Sequence, residues 1–379
     1  MGMKVVFITN YMTHHQLPFC LELYKRLGDD FTFIATNVME DERKNMGWVS
    51  CQSGYPFIHV YEDYKYDELL IDADVVLCGG TDTLYIRNRL KDKNKLTFRY
   101  FESIYKTGRV HAFRPRGYMR KLKEHTAYRN SQVYLLCAGA YVPGDFKLFF
   151  AYPDKMYKWG YFTESSEASF DEIKENKADE MTLLWTGRMI DWKHPTDAVR
   201  AFAKLRELGH RLKLVMIGEG PERENVESLI AKMNLSENVE IHDFMTPDKV
   251  REYMKRSQIY LMTSDRQEGW GAVVNEAMDS GMIVVGSDKA GSVPYLINSG
   301  NNGFIYKSGS VDSLVQNILS ALECVSEDSQ ISQNAYDTLH EKWSPKEAAN
   351  RFIELSEKLM KGEKFFYEDG PLSKAENIG

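Results

Sequence analysis

Glu268 and Glu276 are separated by seven residues in the segment DRQEGWGAVVNEAMDSGMIVVGSD, which follows the apolar run IYLMTS. Each carboxylate can accept hydrogen bonds from neighbouring hydroxyls. If the intervening residues were helical, the two groups would lie ~12 Å apart along the axis. That is about the length separating the two sugars of a nucleoside diphosphate sugar. Gly269 and Gly271 flank Trp270 and allow close backbone approach ahead of a helix. A helix start offers unpaired N–H groups and a partial positive charge, which suit an anion. One carboxylate would then hold the hydroxyls of a transferred sugar and the other those of a ribose. The plain alternative is a pair of solvated helix carboxylates.

The elements that must position these groups alternate along the chain. Strand-like runs in the first half are KVVFIT, FTFIAT, DVVLC, KLTFRY and VYLLCA. The second half has TLLWTG, KLVMIG, VEIHDF, IYLMTS, IVVGS and GFIY. Continuous β-branched runs suit parallel strands buried on both faces, and the segments between them are long enough for crossover helices. The fold class is therefore α/β, with two doubly wound Rossmann-like domains, in line with a length of 379 residues. Ligands of such sheets sit beyond the carboxyl ends of the strands. Residues 163–180 are acidic and poor in large apolar side chains. The expected layout is a domain over 1–165, an exposed linker over 166–180, a second domain over 181–344, and a helix and loose tail over 345–379.

The glutamate segment resembles the E-x7-E signature of retaining glycosyltransferases with the GT-B fold, of the family-four or group 1 type. LLWTGRMIDWKHP, KLVMIGEGPERE and SDKAGSVPYLINSGNNGFIY resemble other segments of that family, in the same order. The likeness covers about residues 181–307. It implies two Rossmann-like domains facing a cleft, with the last helix returning to the first domain. It implies a nucleotide sugar donor held by the second domain and a glycan or lipid-linked acceptor held by the first. Arg188 and Lys193 then fall to the donor diphosphate, where fixed cations stabilise charge that grows on the leaving group. Glu268 falls to the donor sugar and Glu276 to the ribose. Gly187, Gly218, Glu219, Gly269, Trp270 and Gly271 fall to the donor cleft. The family's reaction usually needs no metal, because the leaving phosphate can take the acceptor proton. No cofactor is expected. The string Asp72-Ala73-Asp74 reads as a polar turn before a strand rather than a metal site.

The first domain matches less well. After the first strand, where many relatives carry a glycine pair, stand Asn10, His14 and His15. Gly79, Gly80 and Glu102 follow later strands. These six are expected at the acceptor or the cleft. Loop capping by the histidines and a satisfied helix-start carboxylate at Glu102 are equally open.

The total charge is −7, yet residues 87–129 hold fourteen Lys and Arg against three acids, a segment charge of +11 that leaves −18 for the rest. Arg114, Arg116, Arg120, Lys121 and Lys123 alternate there with Tyr118, Met119 and Leu122. Such a segment can meet an anionic membrane surface or acceptor; a solvated basic face is the alternative. No nucleic-acid motif accompanies the charge. Five cysteines without metal spacing, no apolar run long enough to span a bilayer and no signal-like start point to a cytoplasmic protein, peripheral at the inner face of a membrane. Other functions to weigh are a GT-B epimerase or phosphorylase and a non-catalytic sugar-nucleotide-binding subunit. A Rossmann dehydrogenase lacks its G-x-G-x-x-G turn.

Overall fold

The computed structural model describes residues 2–39, 54–62, 65–327 and 330–378; Cys51 lies outside them. The chain divides into two compact units, 1–164 with 343–379, and 165–342. No helix among the described residues is long and apolar enough to cross a membrane.

The N-terminal unit is a seven-stranded parallel sheet. Its strands are β1 (Val5–Thr9), β2 (Phe31–Ala35), β3 (Ile58–Val60), β4 (Val75–Gly79), β5 (Leu96–Phe101), β6 (Val133–Ala138) and β7 (Met156–Trp159). Their order is β3-β2-β1-β4-β5-β6-β7. β1, β4 and β6 are buried throughout, as runs such as VVFIT require when helices cover both faces. β3 and β7, which the strand-like runs do not announce, are the two short edges.

The helix Pro345–Met360 belongs to this unit and packs on the helix Leu17–Leu27 and on β5. Its Ser344 cap accepts the Glu347 N–H at 3.1 Å. Phe352 is fully buried against Phe19, Phe98 and Trp159. The final residues are not a loose tail. Lys158 N–H donates to the Ser373 carbonyl at 2.8 Å, Ala375 N–H donates to the Met156 carbonyl at 3.0 Å, and Leu372 is fully buried. The tail thus satisfies the open edge of β7.

The second unit is a six-stranded parallel sheet of β8 (Thr182–Thr186), β9 (Lys213–Ile217), β10 (Val239–His242), β11 (Ile259–Met262), β12 (Ile283–Ser287) and β13 (Phe304–Tyr306). Its order, β10-β9-β8-β11-β12-β13, repeats that of the first unit. In each, the first strand lies centrally and the chain reverses direction beside it, between β1 and β4 or between β8 and β11. That reversal opens a crevice at the carboxyl ends.

Residues 166–180 are mostly exposed, as expected, but they belong to the second unit rather than standing between the two. Ser166 N–H donates to both Asp279 carboxylate oxygens at 3.0 Å. Ser169 and Glu172 form a capping box on the helix Phe170–Glu175. The half-buried Lys177 donates its ammonium to the carbonyls of Met254, Ser257 and Ser280 at 3.1, 2.7 and 2.8 Å. This stretch is thus solvated along most of its length and tied to the second unit through a few backbone contacts.

Candidate functional site

The site in the second unit grows from the loops after β8, β9 and β11. β8 is TLLWT, buried along its length, and ends at Gly187. Beyond it Met189 is fully buried; its N–H donates to the Glu219 carbonyl at 2.7 Å and its carbonyl accepts from Glu222 N–H at 2.9 Å. These bonds hold the loops after β8 and β9 together. Gly218, with φ +143°, lies so close that a Cβ there would sit 1.9 Å from the Gly187 carbonyl oxygen. Only glycine fits that approach.

The loops after β8 and β11 are joined more tightly, at the switch point of the sheet. Asp265 N–H donates to the Trp192 carbonyl at 2.9 Å. The Thr263 hydroxyl donates to the Lys193 carbonyl at 2.6 Å and accepts from Trp185 Nε1 at 2.8 Å. His194, in the left-handed region at φ +46°, places its ring 3.4 Å from the Asp265 carboxylate. The result is that Lys193 Nζ meets Glu268 Oε2 at 2.7 Å, both side chains about 15% exposed. Ser264 Oγ donates to the same carboxylate oxygen at 3.1 Å.

The carbonyls of Glu268, Trp270 and Gly271 accept from Gly291 N–H, Ser292 N–H and Ser292 Oγ at 3.2, 3.0 and 3.5 Å. The loop 268–271 is therefore braced by the loop after β12. Trp270 is buried and donates to Asn275 Oδ1 at 2.9 Å, so its indole anchors the loop from beneath. The expected helical path from Glu268 to Glu276 is not followed. The helix spans only Val273–Asp279, and the first half of the spacing is irregular loop. The 12 Å axial distance does not apply.

Glu276 is half-buried, and its carboxylate forms no hydrogen bond or ion pair among the described residues. Burial pushes its carboxyl up to about 7; Arg251 acts against the shift and Asp279 adds to it. Tyr260 lies within the electrostatic reach of both glutamates, which help burial raise its phenol. Its hydroxyl donates to the Thr186 carbonyl at 3.1 Å. The side chains of Arg188 and Glu219 are exposed and likewise without such partners among the described residues. The structure thus gathers Gly187, Arg188, Lys193, Gly218, Glu219, Glu268 and Glu276 at the carboxyl end of one sheet. Tyr260, Thr263 and Ser264 are additions that motif reading missed, although they stand at the end of the IYLMTS strand.

In the N-terminal unit, Asn10 and Gly80 face each other across β1 and β4: a Cβ on Gly80 would lie 3.1 Å from Asn10 Oδ1. Gly79 is backed by Tyr100, whose ring would lie 2.3 Å from a Cβ there. Tyr100 packs edge-on to Tyr161. Tyr161 donates to Glu102 Oε1 and stacks on His15 at 5.6 Å, and His15 touches His14. Glu102 also pairs with Lys106 at 2.7 Å. The two histidines and Glu102 therefore share one aromatic cluster through Tyr161. Asp74 of the Asp72-Ala73-Asp74 string accepts Lys4 N–H at 2.8 Å.

The basic segment is only partly a surface. Arg89 is buried and donates to the carbonyls of Leu70, Ala73, Asp74 and Leu96. Arg99 is buried against His125 and Tyr152. Lys121 is half-buried near Glu124, while Arg114, Arg116, Arg120 and Lys123 are exposed.

Residues 166–338 match the family model of the glycosyl transferases group 1. The matched stretch is a little under half of the chain and takes in nearly all of the second unit. A Lipopolysaccharide 1,2-N-acetylglucosaminetransferase of Salmonella typhimurium is 26% identical over 183 residues, 46% of this chain and 48% of that one. An N-acetyl-alpha-D-glucosaminyl L-malate synthase of Bacillus anthracis is 23% identical over 186 residues, 49% and 47% of the two chains. The matched part spans about half the length of these relatives. The fold extends further: the structure of Anabaena HepE in complex with UDP covers 95% of this chain and all of its own, with a TM-score of 0.70 at 14% identity. Both units thus carry the Rossmann-like folds of GT-B glycosyltransferases.

Proposed function

We propose that the chain is a retaining, metal-independent glycosyltransferase. It moves a sugar from a nucleoside diphosphate sugar to a glycan or lipid-linked acceptor, in polysaccharide or glycoconjugate biosynthesis. The observation that carries this reading is the Lys193–Glu268 pair at the switch point of the second unit's sheet, on the loop that also carries the exposed Arg188.

The chemistry follows from those groups. The bond between the anomeric carbon and the β-phosphate oxygen breaks, and negative charge grows on the diphosphate. Arg188 and Lys193 stabilise that charge as it forms. Glu268 exchanges its Lys193 and Ser264 contacts for hydroxyls of the transferred sugar and fixes the ring. The acceptor oxygen attacks the anomeric carbon from the face the phosphate leaves, and its proton passes to a leaving phosphate oxygen. No base from the protein and no metal is needed for that balance. Glu276 holds the ribose, and Gly187, Gly218, Glu219 and the braced 269–271 loop line the nucleotide. Asn10, His14, His15, Gly79, Gly80 and Glu102 serve the acceptor.

The names of the two relatives make N-acetylglucosamine the first sugar to try, and the UDP of the HepE complex the first nucleotide. The basic residues Arg114, Arg116, Arg120, Lys121 and Lys123 bring the protein to an anionic membrane surface or acceptor. Proton NMR of the product tests the reaction. Retention of the donor's α configuration, unchanged by EDTA, is expected; an inverted product or loss of turnover with EDTA would refute the reading.

A further inference from the structure

The helix Val273–Asp279 carries Glu276 and is only seven residues long. A helix that short does not hold its own direction, so its anchors decide where Glu276 points. At its start, Trp270 Nε1 donates to Asn275 Oδ1 at 2.9 Å. At its end stands the Asp279 carboxylate, 14% exposed. It accepts Ser166 N–H at 3.0 Å on both oxygens, and His340 Nε2 approaches one of them at 2.8 Å. A carboxylate only accepts, so the imidazole donates from Nε2. The His340 ring stacks on Tyr336 at 3.8 Å, and the Tyr336 hydroxyl donates to the Ala168 carbonyl at 2.9 Å.

The place of these partners along the chain is a second observation. The second unit begins at Ser165 and ends at Lys342. Ser166 and His340 therefore stand beside the points where the chain enters and leaves it. His340 belongs to the turn Thr338–Lys342, which is π-helical. That geometry is rare and gathers at functional sites. Charge adds a third observation. Asp279 lies one helical turn from Glu276, a spacing at which like charges repel. It adds to the burial that raises the Glu276 carboxyl. From the neighbouring elements, Arg251 of the helix Pro247–Arg256 and Tyr260 of β11 also face Glu276. His340 and Tyr336 face Asp279, and Asp337 and Glu172 lie near Tyr336.

We infer that Asp279 is a positioning residue: through Ser166 and His340 it ties the helix bearing Glu276 to both ends of the second unit's chain. The inference rests on the reading of Glu276 as the carboxylate that holds the ribose. Asp279 acts through Glu276 rather than on the substrate, in two ways. It fixes the end of the helix, and its charge opposes ionisation of Glu276. The coupling is reciprocal. A nucleotide that fixes Glu276 also fixes Ser166 and His340, and releasing His340 loosens the nucleotide.

The test first follows unfolding of the full chain between pH 4 and 8 without nucleotide, beside Asp279→Asn, Glu276→Gln and the double variant. The part of the profile that Glu276→Gln removes belongs to Glu276: stability lost as pH rises from the ordinary carboxylate range to about 7. In Asp279→Asn that loss should end about half a pH unit or more lower, because a like charge is gone. Hydrogen exchange then reads the coupling, with UDP as the probe and GDP, ADP and dTDP tried in turn. Bound nucleotide should slow exchange at the Ser166 amide and at the Thr338–Lys342 amides. His340→Ala should abolish that slowing and weaken nucleotide binding by about fivefold or more. His340→Gln, which still donates to Asp279, should restore both. A Glu276 profile that Asp279→Asn leaves in place would overturn the inference. So would nucleotide binding by His340→Ala within about twofold of the unaltered protein. If none of the four nucleotides binds, the ribose reading fails by itself, and the nucleotide-free profile still decides whether Asp279 governs Glu276.

Discussion

Glu268 and Glu276 differ in what surrounds them, and so in what they can do. Glu268 is held by Lys193 and Ser264; removing its carboxylate leaves a half-buried ammonium with one partner fewer. Glu268→Ala and Lys193→Ala should each lower nucleotide release by about 10²–10³-fold, the scale of a lost preorganised charge contact. Glu276 instead sits without such a contact, and burial raises its carboxyl to about 7. An acid raised in the folded state binds its proton more tightly there than when unfolded. Its neutral form is thus favoured by folding, and stability declines as pH rises from the ordinary carboxylate range through 7. Ribose hydroxyls are held better by the carboxylate, so nucleotide affinity should rise as pH passes through 7. Calorimetry of nucleoside diphosphate binding between pH 6 and 8 checks this. Glu276→Gln should flatten the profile; a profile unchanged in that variant would assign the titration elsewhere.

At the scale of elements, the site exists because three loops are locked at the carboxyl end of one sheet. Gly218→Ala tests the lock, since its Cβ would fall 1.9 Å from the Gly187 oxygen. The loops after β8 and β9 must then part. Nucleotide binding should fall at least tenfold and the second unit should lose about 1–3 kcal/mol, as overpacking commonly costs. Thermal denaturation with and without nucleotide reads both. The elements also show what a sequence discloses. β1, β4 and β11 are apolar because both their faces are covered, and that pattern is visible without coordinates. The edge strands IHV and MYKW need only one covered flank, so they carry no such run. The Glu268 motif was legible, whereas Tyr260 and Ser264 act through contacts that no spacing encodes. Ser169-x-x-Glu172 did hold a capping signal, masked by the acidic composition around it.

For the whole molecule, charge and chain path carry the lessons. The +11 of residues 87–129 overstates the surface. Arg89 and Arg99 are core groups, and Arg109 pairs with the buried Asp145 at 3.1 Å. A salt bridge or carbonyl cluster inside the fold cannot be counted from composition. The chain path matters as much, because residues 343–379 complete the N-terminal unit. Phe352→Ala should destabilise that unit by about 3–5 kcal/mol while leaving nucleotide affinity within twofold. Denaturant unfolding followed beside a nucleotide-binding assay separates the two effects; equal losses in both would contradict this division.

The central claim is that the Lys193–Glu268 pair works on a nucleoside diphosphate sugar. Its most direct test measures nucleoside diphosphate release from UDP-, GDP-, ADP- and dTDP-sugars, with Glu268→Ala alongside. The account predicts release from one class of donor, raised by acceptor and nearly abolished in the variant. No release with any of them, or release undiminished in Glu268→Ala, would contradict it.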